Sequence, residues 1–401
     1  MNTLTKDILL GIITALFFSA FIYFEHYDLT NKLLNTLFGV SAITMLLYIP
    51  KRAVLTAGFV IGILWFYWIG YSFKYQGVGY MAPIITISFA FIYLLFFAPL
   101  ALTNNPLVRA LLLFCLTFVE PFDWNWMQPE ILFVNSYFGV YKYQFFTLLL
   151  ALALPSQLKR PYNFLAIFLL LFSINYGYKK QYDAPLKIKL VQTDIKQEDK
   201  WQRKNLYPTV YMLFKKIQQA TNQGYDVIVL PESVFPLFMN KTPELIKNLE
   251  KFSKKITIVA GSLLRENKKN YNVTYIFKHG SYKIAKKLVL VPFGEYIPLP
   301  KFAKKFINDT FFSGASDFVT AKHPTDFIIK GVKFRNAICY EATCQELYEG
   351  DVKYMIAMSN NAWFAPSIEP TLQKLLLEYY ARKNGVTIYH AANYKGTGVI
   401  K

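Results

Sequence analysis

Acidic residues are scarce in this chain: 25 Asp and Glu stand against 44 Lys and Arg, and charged residues of both signs make up only 17% of it. Cysteine is scarcer, with three in 401 residues. No spacing suggests a zinc site and no glycine-rich loop suggests a nucleotide, so neither a metal nor another cofactor is expected. Cys115 falls in an apolar run and reads as a small hydrophobe. Cys339 and Cys344 are close enough in sequence to pair in an oxidising compartment, but a thiol served by Lys and Glu makes a better nucleophile than a staple. Two more absences concern the apolar part. No small-residue cleavage site follows the first long run, so Met1–Lys6 and the residues after it read as an uncleaved helix rather than a signal peptide. The apolar runs lack paired charges, which argues against a transport path and so against a transporter or receptor-like membrane protein that binds a ligand without chemistry.

Hydrophobic residues, by contrast, are 54% of the chain and aromatics 18%, with a mean hydropathy of +0.25. That is too apolar for an ordinary soluble enzyme. The excess lies in residues 1–178, where seven apolar stretches run at roughly 8–24, 33–49, 53–72, 81–101, 107–119, 143–155 and 162–178. Several reach the ~20 residues that span a hydrocarbon core. Residues 1–180 are therefore expected to form a transmembrane helical domain of about seven spans. With a cytoplasmic N terminus, the inner loops carry Lys51, Arg52, Arg109, Lys159 and Arg160, while loops 25–32 and 73–80 hold only Lys32 and Lys74. The bias has the sign of an inside-positive topology and delivers the rest of the chain to the outer face. The aromatic-rich loop at 120–142 suits the headgroup interface, as an anchor or as the lining of a lipid access path.

Residues 185–401 have a different texture: charged, alternating and punctuated by turns. They carry 33 of the 44 basic and 18 of the 25 acidic residues, a net of +15. A basic domain tethered to a bilayer is drawn to anionic headgroups. An extracytoplasmic location makes nucleic acid a poor partner. Strand and helix signals alternate. LKIKLVQTD (186–194), DVIVLPE (226–232), ITIVAGSLL (256–264), YMIAMSNN (354–361) and TIYHAAN (387–393) read as strands. Helices are expected across 203–223, across 243–255 and in the run ending on Gly385, with a hairpin turning at His279–Ser281. The pattern defines a layered α/β domain.

Three residues end strand-like runs here: Glu232 in VIVLPES, Lys287 in KKLVLVPFGEY and Cys339 in AICYEA. A carboxylate, an ammonium and a thiol make a complete set for acyl transfer. At a strand-to-helix turn Cys339 would be exposed, and a helix N terminus would stabilise its thiolate. The N–H of Tyr340 would face a developing oxyanion. Lys287 would lower the thiol pKa and hold the tetrahedral intermediate. Glu232 would move the proton, alone or sharing a coupled titration with Glu295.

These blocks, LPES, the string from Lys287 to Pro298 and ICYE at 338–341, resemble the catalytic blocks of the nitrilase (carbon–nitrogen hydrolase) superfamily. VPFGEYIP and SNNAWF (359–364), with the multi-span N-terminal half, resemble more narrowly the membrane-embedded apolipoprotein N-acyltransferase family. The resemblance implies an α-β-β-α sandwich after the membrane domain. It also implies a Glu232–Lys287–Cys339 triad that takes an acyl chain from a phospholipid, preferably phosphatidylethanolamine, as a thioester. The acceptor would be the α-amine of the diacylglyceryl-cysteine of an apolipoprotein, in the bacterial inner membrane with the catalytic domain on the periplasmic face. By motif position Glu295 is a second active-site carboxylate, Tyr340 and Glu341 follow the nucleophile, and Trp201 sits on a mobile arm. Asn360, Asn361, Trp363 and Phe364 shape the wall near the thiol or pack the core.

The chain departs from the family pattern at four places. Val289 stands where His is common two residues after the lysine, Asn361 where Asp is usual, and Gln373–Lys374 where the family has Gln-His. The chain stops at GTGVIK, where a further membrane helix would follow. A membrane-tethered amidase that uses water as second substrate is the rival reading.

Overall fold

The computed structural model describes residues 2–292, 294–296 and 318–401. Of the string from Lys287 to Pro298, Phe293, Ile297 and Pro298 lie outside the described residues. The chain divides into two compact units, Met1–Tyr178 with Ser367–Tyr379 and Lys179–Pro366 with Tyr380–Lys401.

The first unit is helical: α1 (Thr3–His26), α2 (Lys32–Tyr48), α3 (Lys51–Phe66), α4 (Ala82–Phe97), α5 (Pro106–Leu116), α6 (Lys142–Ala153) and α7 (Phe164–Ser173). Each expected apolar stretch is occupied by one of them. Their starts are set locally, because the side chains of Asn2, Asn31 and Asn105 accept first-turn N–H groups that would otherwise lack partners. Three segments, Thr3–His26, Lys51–Tyr75 and Gly79–Leu102, are long and apolar enough to cross a membrane; α2, α5 and α7 are shorter apolar helices. Gly58 and Gly62, one turn apart on α3, let α4 approach closely. A Cβ on either would lie 2.8 Å from the backbone of Tyr93 or Ala90.

Two features of this unit differ from their sequence reading. Arg109, expected as a loop charge, is 1% exposed. Its guanidinium donates to the carbonyls of Leu46, Leu47, Ile49, Leu100 and Thr103. It thereby serves the end of α2, whose last carbonyls have no partner within the helix. The loop at 120–142 leaves Phe122 and Tyr137 exposed but turns its tryptophans inward. Trp124 and Trp126 are buried, in tilted ring contact with each other and packed on Trp68. Rings of this size contribute more by leaving water together than by lying singly at a surface. A helix of the second half, α11 (Glu369–Asn384), gives its first part to this unit. Lys374 pairs with Glu25 at 2.6 Å, and Asn135 donates to Glu378.

The second unit is a sandwich of two five-stranded sheets. One runs in the order β1 (Ile188–Leu190), β2 (Val227–Val229), β3 (Thr257–Glu266), β4 (Lys269–Lys278), β5 (Ser281–Lys286). The other runs β10 (Gly398–Ile400), β9 (Thr387–Asn393), β8 (Tyr354–Asn360), β7 (Val332–Ile338), β6 (Asp326–Ile329). In the first sheet β1, β2 and β3 are parallel and β3, β4 and β5 form an antiparallel meander; in the second β7, β8 and β9 are parallel and both edges, β6 and β10, antiparallel. Val227, Val229, Val259 and Ile276 of the first sheet share one core with Phe334, Ile338, Ile356 and Met358 of the second. The outer face of the first sheet is covered by α9 (Arg203–Asn222) and α10 (Pro243–Ser253), through Leu213, Ile217, Leu245 and Leu249. Helix α11 makes the crossover between the parallel strands β8 and β9.

The hairpin turns at His279–Gly280, both with positive φ, as its sequence suggests. Strand β1 is shorter than expected because the chain leaves its sheet and Thr193 bridges to Asn393 in the other one. The run after Cys339 is a five-residue 3-10 turn, Cys339–Thr343, in place of the expected α-helix. A helix N terminus is therefore not what faces the thiol. The cause is local: Cys339 is left-handed, and the Glu341 side chain folds back onto Ile338 N.

Gly261 decides how close β3 comes to the loop after β2, since a Cβ there would lie 2.4 Å from Ser233 N and 2.7 Å from Glu232 Cα. Gly261→Ala is expected to lower stability by about 1–3 kcal/mol in thermal unfolding of the detergent-solubilised protein. Gly398→Ala, which meets nothing within 4 Å, should melt unchanged.

Candidate active site

The parallel strands of both sheets end on one side of the sandwich, where chemistry collects in open α/β sheets. Glu232 follows β2, Cys339 follows β7, Asn360 ends β8 and Asn393 ends β9. Lys287 reaches the same region differently, from the end of the antiparallel strand β5, where its N–H is bonded to Asn272 O at 3.0 Å.

Cys339 has φ 57°, a region that costs a side-chain-bearing residue about 1–3 kcal/mol. Ser233, next to Glu232, has φ 45°. Both turns are held by neighbours that over-determine them. Glu341, 1% exposed, accepts from Ile338 N at 2.7 Å, Leu288 N at 2.6 Å and Val289 N at 3.1 Å. One carboxylate thus ties the turn of Cys339 to the segment after Lys287. Burial pushes the Glu341 carboxyl up to about 7, while Lys287 and the three N–H donors pull it down. What Glu341 uses at position 289 is a backbone N–H, so the tie does not need the family's histidine there.

Lys287 is 1% exposed, and its Nζ lies 2.7 Å from Glu295 Oε2. Burial alone would discharge it. The carboxylates of Glu295, Glu232 and Glu341 and the Cys339 sulfur outweigh burial and hold its pKa above that of an ordinary lysine. The contact with Glu295 is close but poorly directed, and among the described residues the ammonium makes no hydrogen bond of good geometry. Asn272 sets the two glutamates: its Nδ2 donates to Glu232 Oε1 at 2.8 Å and to Glu295 Oε1 at 3.3 Å. Glu295 is further held by Val291 N at 2.9 Å. Glu232, Lys287, Glu295, Glu341 and Cys339 therefore share one electrostatic neighbourhood.

The other residues read from the sequence are distributed around it. Tyr340 is buried, and its carbonyl accepts from Thr343 Oγ1 and Cys344 Sγ. Trp201 is 46% exposed at the end of the short helix α8 (Gln197–Lys200). Asn360 binds Gln197 and Asn393, whereas Asn361 donates to Lys395 O in the C-terminal loop. Trp363 and Phe364 are half-buried on the turn after β8. None of the three cysteines forms a disulfide.

Two residues of the site escaped the sequence reading. Asn272 had a detectable signal: a polar side chain at an inward position of the otherwise apolar strand YNVTYIF. Lys200 had none, since one lysine among 44 basic residues looks like surface. It is 3% exposed, and its Nζ donates to Glu232 O at 3.0 Å.

A buried lysine–glutamate–cysteine neighbourhood on a two-sheet α/β sandwich, following an apolar helical region, defines a membrane-bound protein of the carbon–nitrogen hydrolase type. Residues 187–397 match the family model described as Carbon-nitrogen hydrolase. Residues 5–176 match the one described as Apolipoprotein N-acyltransferase integral membrane domain. The apolipoprotein N-acyltransferase of Wolinella succinogenes is 41% identical over 403 residues, covering 98% of this chain and 96% of that protein. That of Helicobacter hepaticus is 38% identical over 388 residues, covering 94% and 96%. That of Campylobacter jejuni is 37% identical over 347 residues, covering 86% and 77%. The chain belongs to the apolipoprotein N-acyltransferase family.

Asn272→Leu keeps the volume and removes the donor shared by both glutamates. Losing a hydrogen bond to a charged group costs about 1.5–3 kcal/mol. Turnover of the purified variant is expected to fall by roughly 10- to 150-fold, read as kcat/KM against wild type.

Proposed function

We propose that this protein moves a fatty acyl chain from a phospholipid, phosphatidylethanolamine in particular, to the α-amine of the diacylglyceryl-cysteine of an apolipoprotein. This is the last step of lipoprotein maturation, and it runs through a thioester on Cys339. One observation carries the reading: a strained Cys339 in the same field as the buried Lys287 and Glu232, in a chain whose other unit contains helices of membrane-crossing length.

In the first half-reaction Glu232 takes the Cys339 proton and the sulfur attacks the ester carbonyl carbon. The oxyanion forms against the Tyr340 N–H and the Lys287 ammonium, whose donors are not spent on a well-directed bond to Glu295. Collapse breaks the C–O bond. The departing lysophospholipid oxygen takes the proton back from Glu232, and the acyl group stays on sulfur. In the second half-reaction the lipoprotein amine attacks the thioester and Glu232 takes a proton from it. The C–S bond breaks, an amide is left, and the proton returns to Cys339. Glu295 keeps Lys287 charged throughout, and the exposed Trp201 is assigned the meeting of the incoming lipid on its motif position.

The membrane region is read as residues 1–180 with about seven crossings, and residues 185–401 as the catalytic domain. The loop charges favour the cytoplasmic membrane with the catalytic domain on its periplasmic face.

The test uses the full-length protein in detergent with phosphatidylethanolamine carrying a labelled acyl chain. Mass spectrometry is expected to find the label on Cys339 as a hydroxylamine-sensitive adduct, transferred when a diacylglyceryl peptide is added. Cys339→Ala should carry none. Release of the label only as free fatty acid would favour the water-using amidase instead.

A further inference from the structure

Among the described residues only two lysines are buried, Lys287 and Lys200, and the acyl transfer above employs only the first. A buried ammonium persists where its donors and its charge are both used. The Nζ of Lys200 donates to the main-chain carbonyl of Glu232 at 3.0 Å. Its second neighbour is the Asn360 side-chain amide. Interchanging the oxygen and nitrogen of that amide turns its oxygen to Lys200 Nζ at 3.0 Å and to Trp363 Nε1 at 3.2 Å. In the other orientation the same amide donates to Gln197 and accepts from Asn393, so the two sets of contacts are alternatives; Asn393 itself binds Thr193 and the backbone of Ile195. The contact of Lys200 that holds in either orientation is the one to the main-chain carbonyl of Glu232.

The charged groups that face Lys200 are the Glu232 carboxylate and the Cys339 sulfur. On its own helix Glu198 is exposed, and Asp199 is half-buried against Gln202. Among the described residues the groups contacting Nζ directly are uncharged, so no described carboxylate bonded to it neutralises its charge, which remains directed at Glu232 and Cys339.

We propose that Lys200 is a positioning residue of the reaction, which fixes the main chain at Glu232 and adds a second positive charge to the surroundings of Cys339, favouring its thiolate. The inference rests on Cys339 being the nucleophile. Burial pulls the Lys200 ammonium down to about 8, with Glu232 and Cys339 acting the other way. Lys287 stays charged well beyond that. An alkaline loss of reactivity near that pH would therefore report Lys200.

The experiment follows two readouts on the full-length protein in detergent. One is the rate of Cys339 alkylation by iodoacetamide against pH; the other is acyl loading of Cys339 from phosphatidylethanolamine. In Lys200→Met the alkylation midpoint is expected to rise by about one pH unit, and loading at neutral pH to fall roughly tenfold. Lys200→Arg should restore both and carry the alkaline limb of loading upward by more than about one unit, because a guanidinium does not discharge. A Lys200→Met protein that melts like wild type with an unmoved midpoint would overturn the proposal. Should neither variant fold, wild-type loading decides: it must decline near pH 8, and a profile flat to about pH 10 would overturn the role. Wild-type Cys339 that is never acylated, whatever stands at position 200, would count against the acyl-transfer reading instead.

Discussion

A lysine ammonium keeps its charge inside a protein only if anions are brought to it, and anions so close together tolerate one another only because of it. Lys287 and the carboxylates of Glu232, Glu295 and Glu341 are bound by this mutual condition. The three acids come from separate stretches of chain, and each is also held by N–H groups or by Asn272. Lys287 thus acts as the centre of a small electrostatic assembly. Removing it would strand like charges; removing any of them would weaken its hold on the proton.

The same condition explains the local geometry. Glu341 stands two residues after the cysteine and reaches back across the turn, which is possible only with the left-handed backbone of Cys339. Ser233 plays the matching part beside Glu232, and Gly261 lets β3 lie against that turn. Strain at Cys339 and Ser233 is thus balanced by buried contacts around them, a common arrangement where a side chain must be presented in one orientation.

Much of this was legible from residue order. The strand before Glu232, the hairpin at His279–Gly280, the crossover helix ending on Gly385 and the apolar helices all follow from short-range periodicity and turn chemistry. Glu232, Lys287 and Cys339 stood out through their motifs. Other features were read wrongly or missed. Arg109 reads as a loop charge and the tryptophans at 124 and 126 as interfacial rings, because charge and ring content say nothing about which surface is folded inward. The helix expected after Cys339 gave way to a tight turn, because a single side chain, Glu341, competed for the backbone donors.

By itself the sequence determined what can be decided within a few turns of chain: which runs are apolar enough for lipid, which alternate as strands, and which residue types are capable of acyl chemistry. Tertiary structure decided which of the 44 basic residues are buried beside the acids. Lys200 looks like any other lysine in sequence, and Lys287 is marked only by the motif that follows it. They differ because distant strands exclude water around them, and a charge acquires its pKa and its partners from that surrounding rather than from its neighbours along the chain.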